Sequence, residues 1–234
     1  MVYYIIMFIV FDLDDTLYDL RSAFDRAHMK MFPEIKGIDL GELFECVRRY
    51  SYDSLEMTAK GLLRHEDEFA YRITRAYADY GIEVSRQKCD EYEKLYRNEQ
   101  KDIRLFDGAD RLLDYHAAHA EGIAVMTNGM VEVQMGKARR LKLTDWIPEE
   151  RIFISDDLGY RKPDVRACIE VERRLGAKPE QITMIGDTYK ADMSGSIERG
   201  WKTIWFNHRH NSLPEGAAEP NITVYTMEEL LQIK

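Results

Sequence analysis

The sequence predicts an α/β fold, a mainly parallel sheet with helices on both faces, interrupted near its start by an all-helical insertion. Three observations lead there. Residues 3–11 are an almost unbroken apolar run of strand length, rich in β-branched and aromatic types. A continuous rather than alternating run marks a strand covered on both faces. From about residue 18 to 104, long charged segments studded with aromatics carry helical spacing and few strand signals. After Phe106, short apolar runs alternate with amphipathic segments, as βαβ units do. The chain therefore divides into a core of residues 1–17 and 105–234 and a helical insertion over 18–104.

Within the insertion, amphipathic helices are expected over 40–52, 57–80 and 85–98, with Gly81 stopping the second. Its tyrosines, among them Tyr71, Tyr77, Tyr92 and Tyr96, are expected to pack with their hydroxyls near water. In the core, strands over 122–126, 151–154, 181–185, 203–206 and 222–225 alternate with helices over 130–143, 163–175, 190–199 and 227–233. Pro163 suits the first turn of its helix. Residues 207–220, with two prolines and a glycine, read as a surface loop.

At 234 residues, with 45% apolar and 32% charged residues, the composition is that of an ordinary soluble globular protein. A formal net charge of −9 argues against a nucleic-acid polymer or an acidic membrane as partner, since either would need a basic footprint. Cys46, Cys89 and Cys168 lie far apart and form no Cys-x-x-Cys pair, which fits reduced thiols. The apolar start lacks a basic flank and a small-residue cleavage site and is too short to span a bilayer, so a cytoplasmic location is expected.

The chemistry collects at strand ends, where open α/β sheets bind ligands. The first run feeds directly into Asp12-Leu13-Asp14-Asp15-Thr16. On an extended chain Asp12 and Asp14 share a face about 6.6 Å apart, at about 3.3 Å per residue. That gap can take a transferring group between a nucleophile and a proton donor. Carboxylates beside an apolar strand need a cation, hydrogen bonds or a shared proton. Mg²⁺, which takes oxygen ligands and accompanies phosphate-bearing substrates, is the simplest answer. Asp14, Asp15 and Thr16 equally fit a turn or helix cap, and Asp15 is assigned to that role.

Later strands release polar residues in the same way. Thr127-Asn128-Gly129 offers a hydroxyl and approachable backbone N–H groups to a phosphate oxygen, although a plain Asn-Gly turn fits as well. Lys162, before the helix that begins near Pro163-Asp164, can turn its ammonium toward the acidic cluster or into solvent. Asp187 follows an apolar strand as Asp12 does, a natural second carboxylate for the same cation. Asp192, one helical turn on, suits outer support of that site or a favourable charge near a helix start.

In this order, the four segments resemble the motifs of the haloacid dehalogenase-like hydrolase superfamily, subfamily I with a C1 helical cap. The resemblance covers nearly all of a Rossmann-like core; the insertion is similar to the cap by position and helical character only. It implies that Asp12 is the nucleophile forming an aspartyl-phosphate and that Asp14 is the general acid and base. It further implies Mg²⁺ held by Asp12, Asp187 and the backbone carbonyl of Asp14, and phosphoryl oxygens bound by Thr127, the Asn128 backbone and Lys162. Relatives that remove halide lack an aspartate at the position of Asp14. The stretch Trp205-Phe206-Asn207-His208-Arg209 resembles the pyrimidine-type nucleoside 5′-monophosphatases. The expected substrate is thus a small phosphate ester, a nucleoside 5′-monophosphate or a sugar phosphate. A phosphomutase of the same family is the near alternative. A receiver-like phosphoaspartate domain is the distant one, disfavoured because receivers are smaller and separate the phosphorylated acid from the metal-binding pair. Arg21, Phe24, His28, Arg48, Arg49, Tyr50 and Tyr52 read as surface and packing residues of the insertion.

Overall fold

The computed structural model describes residues 7–233, so residues 3–6 of the first apolar run lie outside the described residues. β1 (Phe8–Phe11) leads into α1 (Leu20–Met31), α2 (Leu40–Ala59), α3 (Glu68–Ala78) and α4 (Arg86–Glu99). The chain then runs through α5 (Ala109–His119), β2 (Gly122–Thr127), α6 (Val131–Arg140), β3 (Ile152–Ile154), α7 (Ser155–Leu158) and α8 (Val165–Leu175). It closes with β4 (Ile182–Gly186), a π-helical turn at Tyr189–Met193, α9 (Ser194–Arg199), β5 (Lys202–Phe206), β6 (Ile222–Val224) and α10 (Met227–Leu230).

Among the described residues the six strands form one parallel sheet in the order β3-β2-β1-β4-β5-β6. The α/β expectation is borne out, and its basis is visible in burial. Every residue of β1, β2 and β4 is buried, because the pleat sends alternate side chains to two covered faces. Phe8, Val10, Ala124, Met126, Ile182 and Met184 pack with Ala167, Cys168 and Val171 of α8. Phe11 points the other way, and its ring meets His116 of α5 edge-on at 5.9 Å.

The chain divides into two compact units, Met1–Asp19 with Ile103–Lys234, and Leu20–Asp102. In the second unit Phe24, Phe32, Phe44, Phe69, Tyr77 and Tyr92 build an aromatic core of its own. Tyr77 and Tyr92 are fully buried, contrary to the expectation of hydroxyls near water. The Tyr77 hydroxyl instead meets Nδ1 of His28 at 2.7 Å. Phe24 and His28 belong to this interior, while Arg49 and Tyr50 both bond Asp79, in line with packing roles.

Several element boundaries differ from the sequence reading. The helix expected over 57–80 is interrupted: α2 runs on to Ala59, Gly61 turns the chain at a φ of 69°, and a 3₁₀ turn at His65–Asp67 precedes α3. A left-handed glycine ends a helix where hydrophobic spacing alone carries on. Gly81 does stop α3, at a φ of 71°. Pro163 lies before its helix rather than in its first turn; Asp164 is the cap, its Oδ1 accepting the Arg166 N–H at 2.9 Å. Helices α1, α5 and α7 are not among the expected ones: α1 buries Phe24 with only alanines and a histidine around it, α5 buries Leu112 and Leu113 beside Ala109 and His116, and α7 is a single turn.

Candidate active site

β1 lies between β2 and β4, so the strand order reverses beside it, and the crevice outside the carboxyl ends at such a point is the usual ligand site. Asp12 extends the ladder one residue beyond β1, its N–H donating to the Ile185 carbonyl at 2.8 Å. Asp187 follows the last residue of β4. The two acids therefore leave neighbouring strands side by side. Asp192, in the π-helical turn, joins them: Asp12, Asp187 and Asp192 are buried and each offers an oxygen within 4.8 Å of the others.

Lys162 enters the same cluster. Its Nζ donates to Asp12 Oδ1 at 2.5 Å, Asp192 Oδ1 at 2.7 Å and the Met126 carbonyl at 2.7 Å, which uses all three ammonium hydrogens. Burial opposes its charge, but Asp12 and Asp192 outweigh that and hold its pKa above the ordinary lysine value. At Asp12 burial dominates; with repulsion from Asp192 and Asp14 it pushes the carboxyl up to about 7 against the pull of Lys162. Three buried carboxylates around one ammonium leave excess negative charge in an all-oxygen donor set, which fits a hard divalent cation.

Neighbouring backbone fixes these groups. Asn128 clasps Lys162: the Lys162 N–H donates to Asn128 Oδ1 and Asn128 Nδ2 donates to the Lys162 carbonyl, both at 2.9 Å. A Cβ on Gly195 would stand 2.2 Å from the Pro163 carbonyl, so only glycine lets α9 approach the lysine loop. A Cβ on Gly186 would stand 2.5 Å from Asp192 Cγ. Asp192 Oδ2 accepts the Thr188 N–H at 2.9 Å, which completes its anchoring. Thr16 Oγ1 donates to the second oxygen of Asp12 at 3.1 Å.

Asp14 faces a different set. Its Oδ1 accepts from Lys137 Nζ at 2.6 Å and from the Tyr18 hydroxyl; its Oδ2 accepts from Gln134 Nε2 at 2.9 Å. The same Gln134 amide donates to Thr127 Oγ1 at 2.5 Å. Burial pushes the Asp14 carboxyl up, but Lys137, Tyr18 and Gln134 together outweigh it and hold the group below the ordinary value. Asp15 is fully buried at a φ of 66°. Arg209 grips it with two hydrogen bonds at 2.6 and 2.7 Å and reaches Asp19 at 2.9 Å.

A family description, haloacid dehalogenase-like hydrolase, matches residues 9–206. The chain belongs to this family. The pyrimidine 5′-nucleotidase PynA of Streptococcus pneumoniae is 26% identical over 228 residues, which cover 96% of this chain and 93% of that one. The magnesium-bound HAD-hydrolase YfnB of Bacillus subtilis superposes with a TM-score of 0.76 at 23% identity, covering 97% of this chain and 98% of that one. An L-2-haloacid dehalogenase of Xanthobacter autotrophicus gives 0.73 at 16% identity, with 97% of both chains covered. At these identities the two structures establish the fold of a haloacid dehalogenase-like hydrolase, and the substrate has to be argued from the site.

Of the residues singled out in the sequence, Asp12, Lys162, Asp187 and Asp192 come together, and Asn128 braces Lys162. The carboxylate of Asp14 is turned to α6 instead, with Thr127 joined to it through Gln134. Gln134 and Lys137 escaped the sequence reading; Thr16 was read only as a turn or cap residue and Arg209 only as part of a resembling stretch, with no partner assigned to either. The first two stand three residues apart, on one face of a helix that follows Thr127-Asn128-Gly129. Their face is buried together with Ala138, which the sequence does not signal; only their spacing after Thr127-Asn128-Gly129 sets them apart.

Proposed function

We propose that the protein is a Mg²⁺-dependent phosphatase that hydrolyses a small phosphomonoester through an aspartyl-phosphate, with nucleoside 5′-monophosphates as the leading substrate class and sugar phosphates second. The observation that carries this reading is the convergence of Asp12, Asp187 and Asp192 with Lys162 at the ends of adjacent strands. Asp12 and Asp187, with the backbone carbonyl of Asp14, would hold Mg²⁺, which when bound supplies neutralising charge beside the phosphoryl oxygens. Asp192 supports the site by anchoring Lys162.

An oxygen of Asp12 attacks phosphorus, and as the new O–P bond forms the bond to the ester oxygen breaks. For that step Asp14 must carry a proton, against the pull of its three donors; it gives the proton to the departing oxygen and regains one from water in the next step. A water oxygen then attacks the same phosphorus while Asp14 takes its proton, which frees Asp12 and releases inorganic phosphate. Lys162, the Thr127 hydroxyl and the Asn128 backbone N–H offset the charge on the phosphoryl oxygens. Asp14 also favours phosphate over halide chemistry, since halide leaves without a proton and an alkoxide does not. The helical unit Leu20–Asp102 is assigned the role of a cap that selects the alcohol half of the ester. The sequence kinship to a pyrimidine nucleotidase supports nucleotides as that class.

Phosphate release from 4-nitrophenyl phosphate, with and without chelator, tests the reaction type. Asp12→Asn should reduce turnover to background with the fold intact, and chelator should do the same to the parent. Full activity in either case overturns the reading. A panel of pyrimidine and purine monophosphates, sugar phosphates and phosphoglycolate then ranks the substrates.

A further inference from the structure

Lys137 and Gln134 have no part in the reaction described so far, yet both side chains are sunk beside its acid. The Lys137 side chain is 7% exposed, an unusual depth for a lysine, and lies over the Tyr18 ring as well as against Asp14. Gln134 is 2% exposed and spends its amide on Asp14 and Thr127 together. The Asp14 carboxylate thus receives donors on both oxygens, from one face of α6 and from Tyr18. A carboxylate held at three points has little rotational freedom, and it is tied through one amide to the hydroxyl assigned to the phosphoryl group.

We infer that Lys137 and Gln134 are positioning residues for Asp14: α6 holds the acid–base carboxylate in place and, through Gln134, ties it to the Thr127 hydroxyl assigned to the phosphoryl group. The inference rests on the phosphatase reading. Lys137 acts through Asp14 and touches no substrate. Held as an acceptor by three donors, Asp14 is set to take the proton of the attacking water. Losing the anchors should therefore slow release of phosphate from Asp12 more than its first transfer when the leaving group is good.

The test uses the full chain with Mg²⁺ and compares Lys137→Met, Lys137→Arg, Gln134→Leu and the parent on 4-nitrophenyl phosphate and on a nucleoside monophosphate. On 4-nitrophenyl phosphate Lys137→Met should lower kcat by about 10- to 100-fold and KM along with it, so that kcat/KM stays nearly unchanged. A burst of nitrophenol equal to the enzyme concentration should accompany it, and Lys137→Arg should recover part of the rate. The loss should be larger on the nucleotide, whose alkoxide needs the proton. In an Asp14→Asn background, adding Lys137→Met should cost nothing further in kcat. That arm stays informative if the single variant folds poorly, because it removes the partly buried carboxylate together with its partner. Multiplying losses in the double variant, or equal loss on both esters without a burst, would overturn the inference. If Asp12→Asn retains activity, the phosphatase reading itself fails, which is a separate result.

Discussion

Gly186→Ala is the smallest change that reaches the heart of the cluster. The added carbon would stand 2.5 Å from Asp192 Cγ and Oδ2 and 2.6 Å from its Cβ. Carbon pairs settle at about 3.5–4.0 Å, so the Asp192 carboxyl must retreat by about 1 Å. The contact with Lys162, now 2.7 Å, would open to about 3.7 Å, past hydrogen-bond range. Lys162 keeps Asp12 and the Met126 carbonyl, so the cost is that of one charged hydrogen bond, about 1.5–3 kcal/mol. For a chain of this size that lowers Tm by roughly 3–12 °C. With one of its three anchors gone, Lys162 is held less firmly beside the reacting phosphoryl group, which should lower kcat by about 10- to 100-fold on an aryl phosphate. Thermal unfolding and steady-state turnover of the purified variant read both effects. A variant within about 1 °C of the parent and with full kcat would refute the claim that this glycine sets the lysine.

Two further outcomes follow from groups outside the reaction. Arg209→Met leaves the buried Asp15 carboxylate without its two-point partner, which should cost about 3–5 kcal/mol by urea unfolding. Adding Asp15→Gly removes both the buried charge and the left-handed strain, so the double variant should regain most of that loss; no recovery would sink the pairing argument. His116 is kept neutral by burial and by nearby His119, its pKa lowered to about 4. The unfolded chain binds that proton near pH 6.5 and the native chain does not, so stability falls as pH drops from 6.5 to 4, by at most about 1.4 kcal/mol per unit, and levels off below. His116→Phe, packed on Phe11, should flatten that limb of the urea-midpoint profile; parallel profiles for parent and variant would contradict it.

Much of the site was readable because strand ends announce themselves: an apolar run that stops at Asp12 or Asp187 fixes where those side chains emerge. The sheet order then makes them neighbours, which local spacing cannot say. Lys162 was readable by its place before Asp164, but its three partners come from distant segments. Gln134 and Lys137 were hidden inside an ordinary amphipathic helix, since a polar residue gives no sign in sequence of which way it faces. Arg209 sits in a loop with no periodicity to interpret. The break at Gly61 and the alanine-lined helix α1 failed for a related reason, because weak apolar patterns cannot locate a turn or a short buried face.

Tyr18 bridges Leu105, and the Phe106 N–H donates to the Leu17 carbonyl at 2.9 Å, so the chain leaves the sheet-bearing unit and returns to it through adjoining residues. Everything between is, in topological terms, a long loop with its mouth already shut. Changing the length of such a loop costs little chain entropy, since doubling it adds only about 0.6 kcal/mol. A different helical cassette, or a bare turn, could be spliced at the same doorway without disturbing the acids at the strand tips. Selectivity and chemistry would then be free to evolve on separate schedules within one polypeptide.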